Sequence, residues 1–238
     1  MKLVDQNFVD AYLEDDWVAA FLSRPESCFF DACASQSWLH QSKVKRAIFA
    51  SLYGDILRGG SRLKIADVGG GLSAFSKTLS DIHDYTLVDI MAHDYARKQE
   101  ISEAIPNVRL LASDWSEVDF EREEFDLIIA NDLFPNVDQR LREFLGTIAM
   151  CGTRSLLTLT WHQGARYYRV QRIDAEEIMT IQAWNGSMVS DALTRYQTKI
   201  NNYESEIFRN VGQSIWENER YVAICELNGN AIGLSGDS

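Results

Sequence analysis

Basic charge, proline, cysteine and histidine are all scarce in this chain. Its 238 residues hold three prolines, four cysteines and four histidines, and 35 acids outnumber 23 bases for a net charge of −12. That balance leaves no basic footprint to neutralise phosphates, so a nucleic-acid partner is not expected. Cys28, Cys33, Cys151 and Cys225 form no C-x-x-C pair and no Cys/His cluster at zinc spacing, which reads as reduced, structural thiols. No stretch reaches the ~20 apolar residues of a membrane span. The start, Met1-Lys-Leu-Val-Asp-Gln, lacks the apolar core of a secretory signal. A cytoplasmic protein without a membrane partner is the expectation. Repeats and low-complexity segments are also missing, and Pro25, Pro106 and Pro135 sit at element boundaries.

What is present suits one domain with an elaboration, since 46% of the residues are hydrophobic. Residues 7–23 place Phe8, Tyr12, Trp17, Val18, Phe21 and Leu22 on one helical face. Residues 23–41 read as irregular. Ser42 then caps a helix with the stripe Val44, Ile48, Leu52, Ile56, ending at Gly59-Gly60. Its basic cluster Lys43, Lys45, Arg46 reads as a solvated face. Beyond it, strand-like runs at 63–68, 85–89, 108–112, 125–131 and 154–161 alternate with helical stretches, which calls for a mostly parallel sheet with right-handed crossovers. Helices are expected at 174–184 and 187–199. Two closing strands, 206–216 and 220–227, are expected to pair as a hairpin across Glu217-Asn218-Glu219.

The segment Leu63-Lys-Ile-Ala-Asp-Val-Gly-Gly-Gly-Leu-Ser-Ala-Phe75 carries the most information. A buried strand breaks into three glycines and restarts as a helix. Glycines there let a ligand approach the backbone, and the helix start offers unpaired N–H groups. Gly69, Gly71 and Ala74 fit the dinucleotide pattern G-x-G-x-x-G/A, with Asp89 about 20 residues on. Asp67, however, would repel a pyrophosphate and could hold the ammonium of an amino-acid-like cofactor. About 60 residues precede the strand, and an antiparallel end is expected. Taken together, the chain from Leu63 to Leu227 resembles the class I S-adenosylmethionine-dependent methyltransferases, most closely at Asp67–Gly71 and Asp89.

The resemblance implies an α/β, Rossmann-like, mostly parallel seven-stranded sheet with a C-terminal antiparallel hairpin and a helical N-terminal cap. Its expected parts are a cap at 1–60, an S-adenosylmethionine-binding domain at 61–230 and a flexible tail at 231–238. Ligands of such sheets lie beyond the carboxyl ends of the strands, where Asp67, Asp89, Asp114, Asn131-Asp132 and Trp161-His162 recur. The family resemblance makes Asp67, Gly69, Gly70 and Gly71 the methionine-end contacts and gives Asp89 the ribose hydroxyls. Ile90 would border the adenine, Asp114 would accept from its amino group, Trp115 would lie on its face, and Asn131 would line the methionine part.

A hydroxyl acceptor needs a base, and His162 at the end of the fifth strand is the first candidate, with Asp132 the alternative. His93 reads as a loop residue and His83 as a surface one. Trp38 and His40 in the cap, with Trp161 and Arg166, are the expected acceptor contacts. After the fifth strand Trp161-His162-Gln163 supplies too few hard oxygen ligands for a metal, so none is expected. The expected activity is methyl transfer to a small molecule, oxygen before nitrogen; a homodimer stays open. A protein or peptide methyltransferase and a non-catalytic cofactor-binding module remain alternatives, with a nicotinamide-dependent dehydrogenase last.

Overall fold

The computed structural model describes residues 1–91, 93–94, 97–172, 177–209 and 212–229; the tail expected at 231–238 lies outside the described residues. Four helices precede the glycine-bearing strand: α1 Gln6–Leu13, α2 Trp17–Leu22, α3 Ala34–Gln41 and α4 Lys43–Leu57. The single helix expected over 7–23 is two. Asp16 breaks it by capping α2, its carboxylate accepting from Ala19 N at 3.1 Å while Arg46 of α4 holds the other side at 2.9 Å. Ser42 caps α4 as expected, accepting from Lys45 N.

The chain then alternates β2 Lys64–Val68, α5 Ala74–Ile82, β3 Asp84–Val88, α6 Lys98–Ala104, β4 Arg109–Leu111, α7 Phe120–Glu123, β5 Leu127–Phe134, α8 Leu141–Met150 and β6 Arg154–His162. With β1 Lys2–Leu3 and β9 Arg220–Leu227 these strands make a seven-stranded sheet in the order β1-β9-β6-β5-β2-β3-β4. Strands β2 to β6 pair in parallel, and β9 is antiparallel to β6. The mostly parallel sheet and the antiparallel C-terminal strand match the expectation.

Besides α3, a helix in the stretch read as irregular, two elements differ. The partner expected for β9 was 206–216, but Ser205–Phe208 is a 3₁₀ turn, and β9 pairs on its free side with β1, Lys2 opposite Ile224. Phe208 packs instead on Trp161, ring centroids 5.0 Å apart. Second, the helix expected at 174–184 is strand β8, Glu177–Ala183, which forms a separate hairpin with β7, Arg166–Arg172. Ile181 and Ala183 are buried while Ile178 and Thr180 are exposed, a period of two rather than 3.6. Cross-strand pairing overrides the helix propensity of Glu, Ile and Met there. The helix α9, Gly186–Thr194, follows as expected, capped by Asn185.

Strand alternation sorts side chains between two cores. Ile65, Leu87 and Ile129 face the cap, where Phe21, Phe49 and Trp17 pack around Phe75 of α5. Ala66, Val68, Ile128 and Ala130 face the opposite layer of α8 and α9. This parity puts Asp67 on the cap side, in register with Leu87 of β3. No helix among the described residues is long and apolar enough to cross a membrane.

Candidate active site

A cavity of about 790 Å³ opens beyond the carboxyl ends of β2, β3 and β5 and beneath α3 and α4. The size falls within the range of pockets that hold small ligands. Its floor is the glycine turn. Gly69 and Gly71 have φ of +69° and +67°, backbone that side chains other than glycine adopt at a cost. A Cβ on Gly71 would lie 1.7 Å from Ser35 Oγ and 2.8 Å from Ser35 Cβ; one on Gly70 would lie 2.3 Å from Asp67 Oδ1. The absence of side chains here is therefore required by both cap and strand.

Asp67 does not reach the cavity wall. It is buried beneath Gly70, where Tyr53 of α4 donates to both its oxygens at 3.0 Å and Tyr85 of β3 donates to Oδ2 at 2.7 Å. Burial pushes its pKa up to about 7, against the two tyrosine hydroxyls, with the nearby Asp89 charge adding to the rise. Its place in the fold is a strut under the glycine turn. Asp89, just past β3, does line the cavity. Its Oδ2 accepts from Gly71 N at 3.2 Å and its Oδ1 from Met91 N at 2.6 Å, so the carboxylate is oriented by the turn itself. Ile90 is half exposed beside it, and Asn131 lines the opposite side, its Oδ1 accepting from Thr158.

Asp114 also lines the cavity, bound to Arg140 at 2.7 Å and 3.0 Å and to Ser116. Arg140 holds its carboxyl well below the usual carboxylate range, outweighing burial. Oδ2 receives Arg140 Nη2, and its second lone pair remains for a further donor. Trp115 was expected to stack on a base. Its indole N–H instead donates to Asp138 at 2.7 Å, its edges pack on Phe134 and Phe144, and Arg140 lies over its ring at 4.8 Å. Trp115 lines the cavity with the Arg140 guanidinium over its ring.

On the acceptor side, Trp38 lines the cavity, meeting His93 edge-on at 5.2 Å with Lys45 over its ring at 4.5 Å. The other expected contacts are elsewhere. His40 is exposed and pairs with Asp31 at 3.1 Å. Arg166 is exposed at the start of β7. Trp161 is a fully buried core side chain stacked near Tyr221. His162 is buried against Tyr168, ring centroids 6.2 Å apart, and does not line the cavity. Burial, with Arg166 and Arg220, lowers its pKa. Thr158 of β6 reaches the cavity, whereas His162, on the same face, lies four residues further along the strand and past it.

Asp132 lines the cavity but is committed. Its Oδ1 accepts from Arg220 at 3.0 Å and Asn136 at 2.9 Å, and its Oδ2 pairs with Lys45 at 3.2 Å. Burial opposes ionisation, yet Arg220 and Lys45 hold its pKa below the usual value. A carboxylate so held is a poor proton acceptor. Lys45, Arg220 and Trp216, all lining the cavity, went unrecognised in the sequence. His83, read as a surface residue, is buried, its Nε2 at 2.9 Å from Ile56 O.

The family described as "Methyltransferase domain" matches residues 66–151, the span from the glycine strand to the end of α8. Residues 66–151 are thus similar to a methyltransferase domain. Over the wider chain, solved structures share the fold. A crystal structure of a protein from Pyrococcus horikoshii superposes with a TM-score of 0.52 at 16% identity, over 84% of this chain and 96% of that one. The N-terminal domain of EvdMO1, crystallised in the presence of S-adenosylhomocysteine and D-fucose, superposes with a TM-score of 0.53 at 14% identity, over 76% and 81%. No curated protein matches the sequence.

The cavity's residues fit S-adenosylmethionine at the points the structure shows. Glycines without room for a Cβ, an oriented carboxylate at Asp89 and a partly open carboxylate at Asp114 supply close backbone approach, acceptors for hydroxyls and an acceptor for an amino group.

Proposed function

We propose that this methyltransferase acts in the cytoplasm on a small-molecule acceptor, at oxygen before nitrogen, with residues 1–60 as a cap over the domain of residues 61–230. The observation that carries the reading is Asp89, held by Gly71 N–H at the mouth of a 790 Å³ cavity that the cap helices roof. When bound, S-adenosylmethionine supplies a methyl carbon that an acceptor's lone pair attacks while the C–S pair returns to sulfur.

The chain's own groups do the rest. Asp89 accepts the ribose hydroxyls, with Ile90 beside the adenine. Asp114 accepts the adenine amino group. Gly69, Gly70, Gly71 and Asn131 line the methionine part, and Asp67 fixes the glycine turn from below. Trp38 contacts the acceptor. His93, read from the sequence as a loop residue, lines the cavity and His162 does not, which supports His93 rather than His162 as the base that takes a hydroxyl proton. Positioning within an enclosed cavity supplies much of the acceleration, because the donor is already activated.

Calorimetric titration of S-adenosylhomocysteine, with NAD alongside, tests the cofactor half. Micromolar binding of the first alone, weakened tenfold or more (about 1.4 kcal/mol) in Asp89→Ala, is the expected result. No binding to folded protein would overturn it. A panel of phenols and amines with methyl-labelled S-adenosylmethionine then separates oxygen from nitrogen.

A further inference from the structure

The cavity is electrically divided. At its cofactor end Asp89, Asp94, Asp114 and Asp138 line the wall beside Arg140, and Arg97, outside the lining, lies near Asp94. That excess of negative charge suits a ligand bearing a sulfonium and an ammonium. Towards β9 the sign reverses, for two cations, Lys45 and Arg220, converge on one carboxylate, Asp132. Each cation also lies over an indole, Lys45 on Trp38 at 4.5 Å and Arg220 on Trp216 at 3.9 Å.

Arg220 is only 7% exposed. Burying a guanidinium is expensive unless its charge is met and its donors are used. Here Asp132 meets one positive charge out of two. Moreover, the buried Nε of Arg220 and Nε1 of Trp216 have no hydrogen-bond partner among the described residues. Two buried donors and one surplus positive charge at one cavity wall are what a bound anion would satisfy.

Resting on the small-molecule reading above, we infer that the acceptor carries an acid group, carboxylate or phosphate, held by Lys45 and Arg220, with a planar part against Trp38. The two cations enter from opposite parts of the chain, Lys45 from cap helix α4 and Arg220 from the first residue of β9. An anion between them therefore ties the cap to the sheet. Asp132 is then a placeholder that keeps the pair compensated when the anion is away, and it competes with the anion for both.

Binding of small probes tests this directly, by calorimetry, with and without saturating S-adenosylhomocysteine. Benzoate and phenyl phosphate should bind, and benzamide and benzylamine should bind at least tenfold more weakly or not at all. Which of the two anions binds tighter distinguishes a carboxylate handle from a phosphate one. Lys45→Gln should weaken the anions about tenfold. Asp132→Asn should tighten them, because the competing carboxylate is gone. These opposite shifts do not depend on a variant of buried Arg220 folding. Equal binding of benzamide and benzoate, anion affinities unmoved in both variants, or no anion binding up to about 10 mM would each overturn the inference. Failure of S-adenosylhomocysteine to bind would fault the cofactor reading instead, and the probe titrations without it still read the anion site.

Discussion

Tyr53 of cap helix α4 donates its hydroxyl to both oxygens of Asp67, 3.0 Å to each, beneath the glycine turn of β2. The cap is thereby bonded to the residue that underlies the turn, and the state of that carboxyl couples to stability. Its pKa of about 7 lies above the ordinary 3.8, so the native state keeps a proton that the unfolded chain has lost. The stabilising contribution is complete below about pH 4 and falls as pH rises to about 7, since stability drops wherever the native state binds more protons. In urea denaturation the difference between wild type and Asp67→Asn should show this slope, at most about 4 kcal/mol across the window at ~1.4 kcal/mol per unit. Tyr53→Phe removes a donor to the ionised form. It should cost about 1–3 kcal/mol at pH 8 and carry the slope to higher pH. Identical pH profiles for wild type and Asp67→Asn would count against a raised Asp67.

The glycine turn yields a sharper contrast. Gly71→Ala places a Cβ 2.8 Å from Ser35 Cβ in backbone with φ of +67°, so rotating the serine does not relieve it. Gly70→Ala meets the Asp67 carboxyl at 2.3 Å. Each should lower stability by about 2 kcal/mol or more and lower S-adenosylhomocysteine affinity at least tenfold. Gly164→Ala, with nothing within 4 Å and no positive φ, should change stability by less than about 0.5 kcal/mol. Thermal melts with and without S-adenosylhomocysteine read both effects.

Asp114 and Arg140 give a different signature. The pair is more than a third exposed, so its effect on stability should be small and sensitive to salt. Because the carboxyl is held below its usual range, what it contributes is present above about pH 4 and lost on acidification. Its consequence should appear in binding. Arg140→Met leaves Asp114 and Asp138 facing each other uncompensated, and adenosine affinity should fall three- to tenfold at pH 7 by titration. An unchanged affinity would remove Asp114 from the adenine site.

The sheet was legible because buried parallel strands are short, mostly apolar runs that end at Gly or a polar residue, as in Ile65–Val68 before Gly69 and Leu127–Ala130 before Asn131. The glycine turn and Asp89 were legible for the same reason, being fixed by local sequence. What escaped lies in partners far apart in the chain. β1 is two residues long, too short for any periodicity, and it took the edge assigned to 206–216. β8 has helix-forming composition and becomes a strand through β7. Lys45 looked like one base of a solvated helix face, and Arg220 like the polar start of a strand. Only their convergence on Asp132, 88 positions from Arg220, marks them. Trp161-His162 was misplaced along the strand: both are buried at the end of β6, Trp161 on the opposite face and His162 past the wall that Thr158 reaches.

Position relative to the cavity separates the two histidines in a kinetic test. The lowered pKa of His162 would leave it neutral and competent to accept a proton at pH 7, so titration alone would favour it. Geometry decides against it, since a base must come within hydrogen-bond reach of the acceptor. His162 packs on Tyr168 within the fold, whereas His93 stands at the cavity wall against Trp38. With a hydroxyl acceptor, His93→Gln should reduce kcat by about 10²-fold or more, as loss of a general base does. S-adenosylhomocysteine affinity should stay within about threefold in the same variant. His162→Gln should keep kcat within about threefold and shift only thermal stability. The reverse pattern, with kcat lost in His162→Gln and kept in His93→Gln, would return the proton to β6 and require the β7–β8 hairpin to move before catalysis.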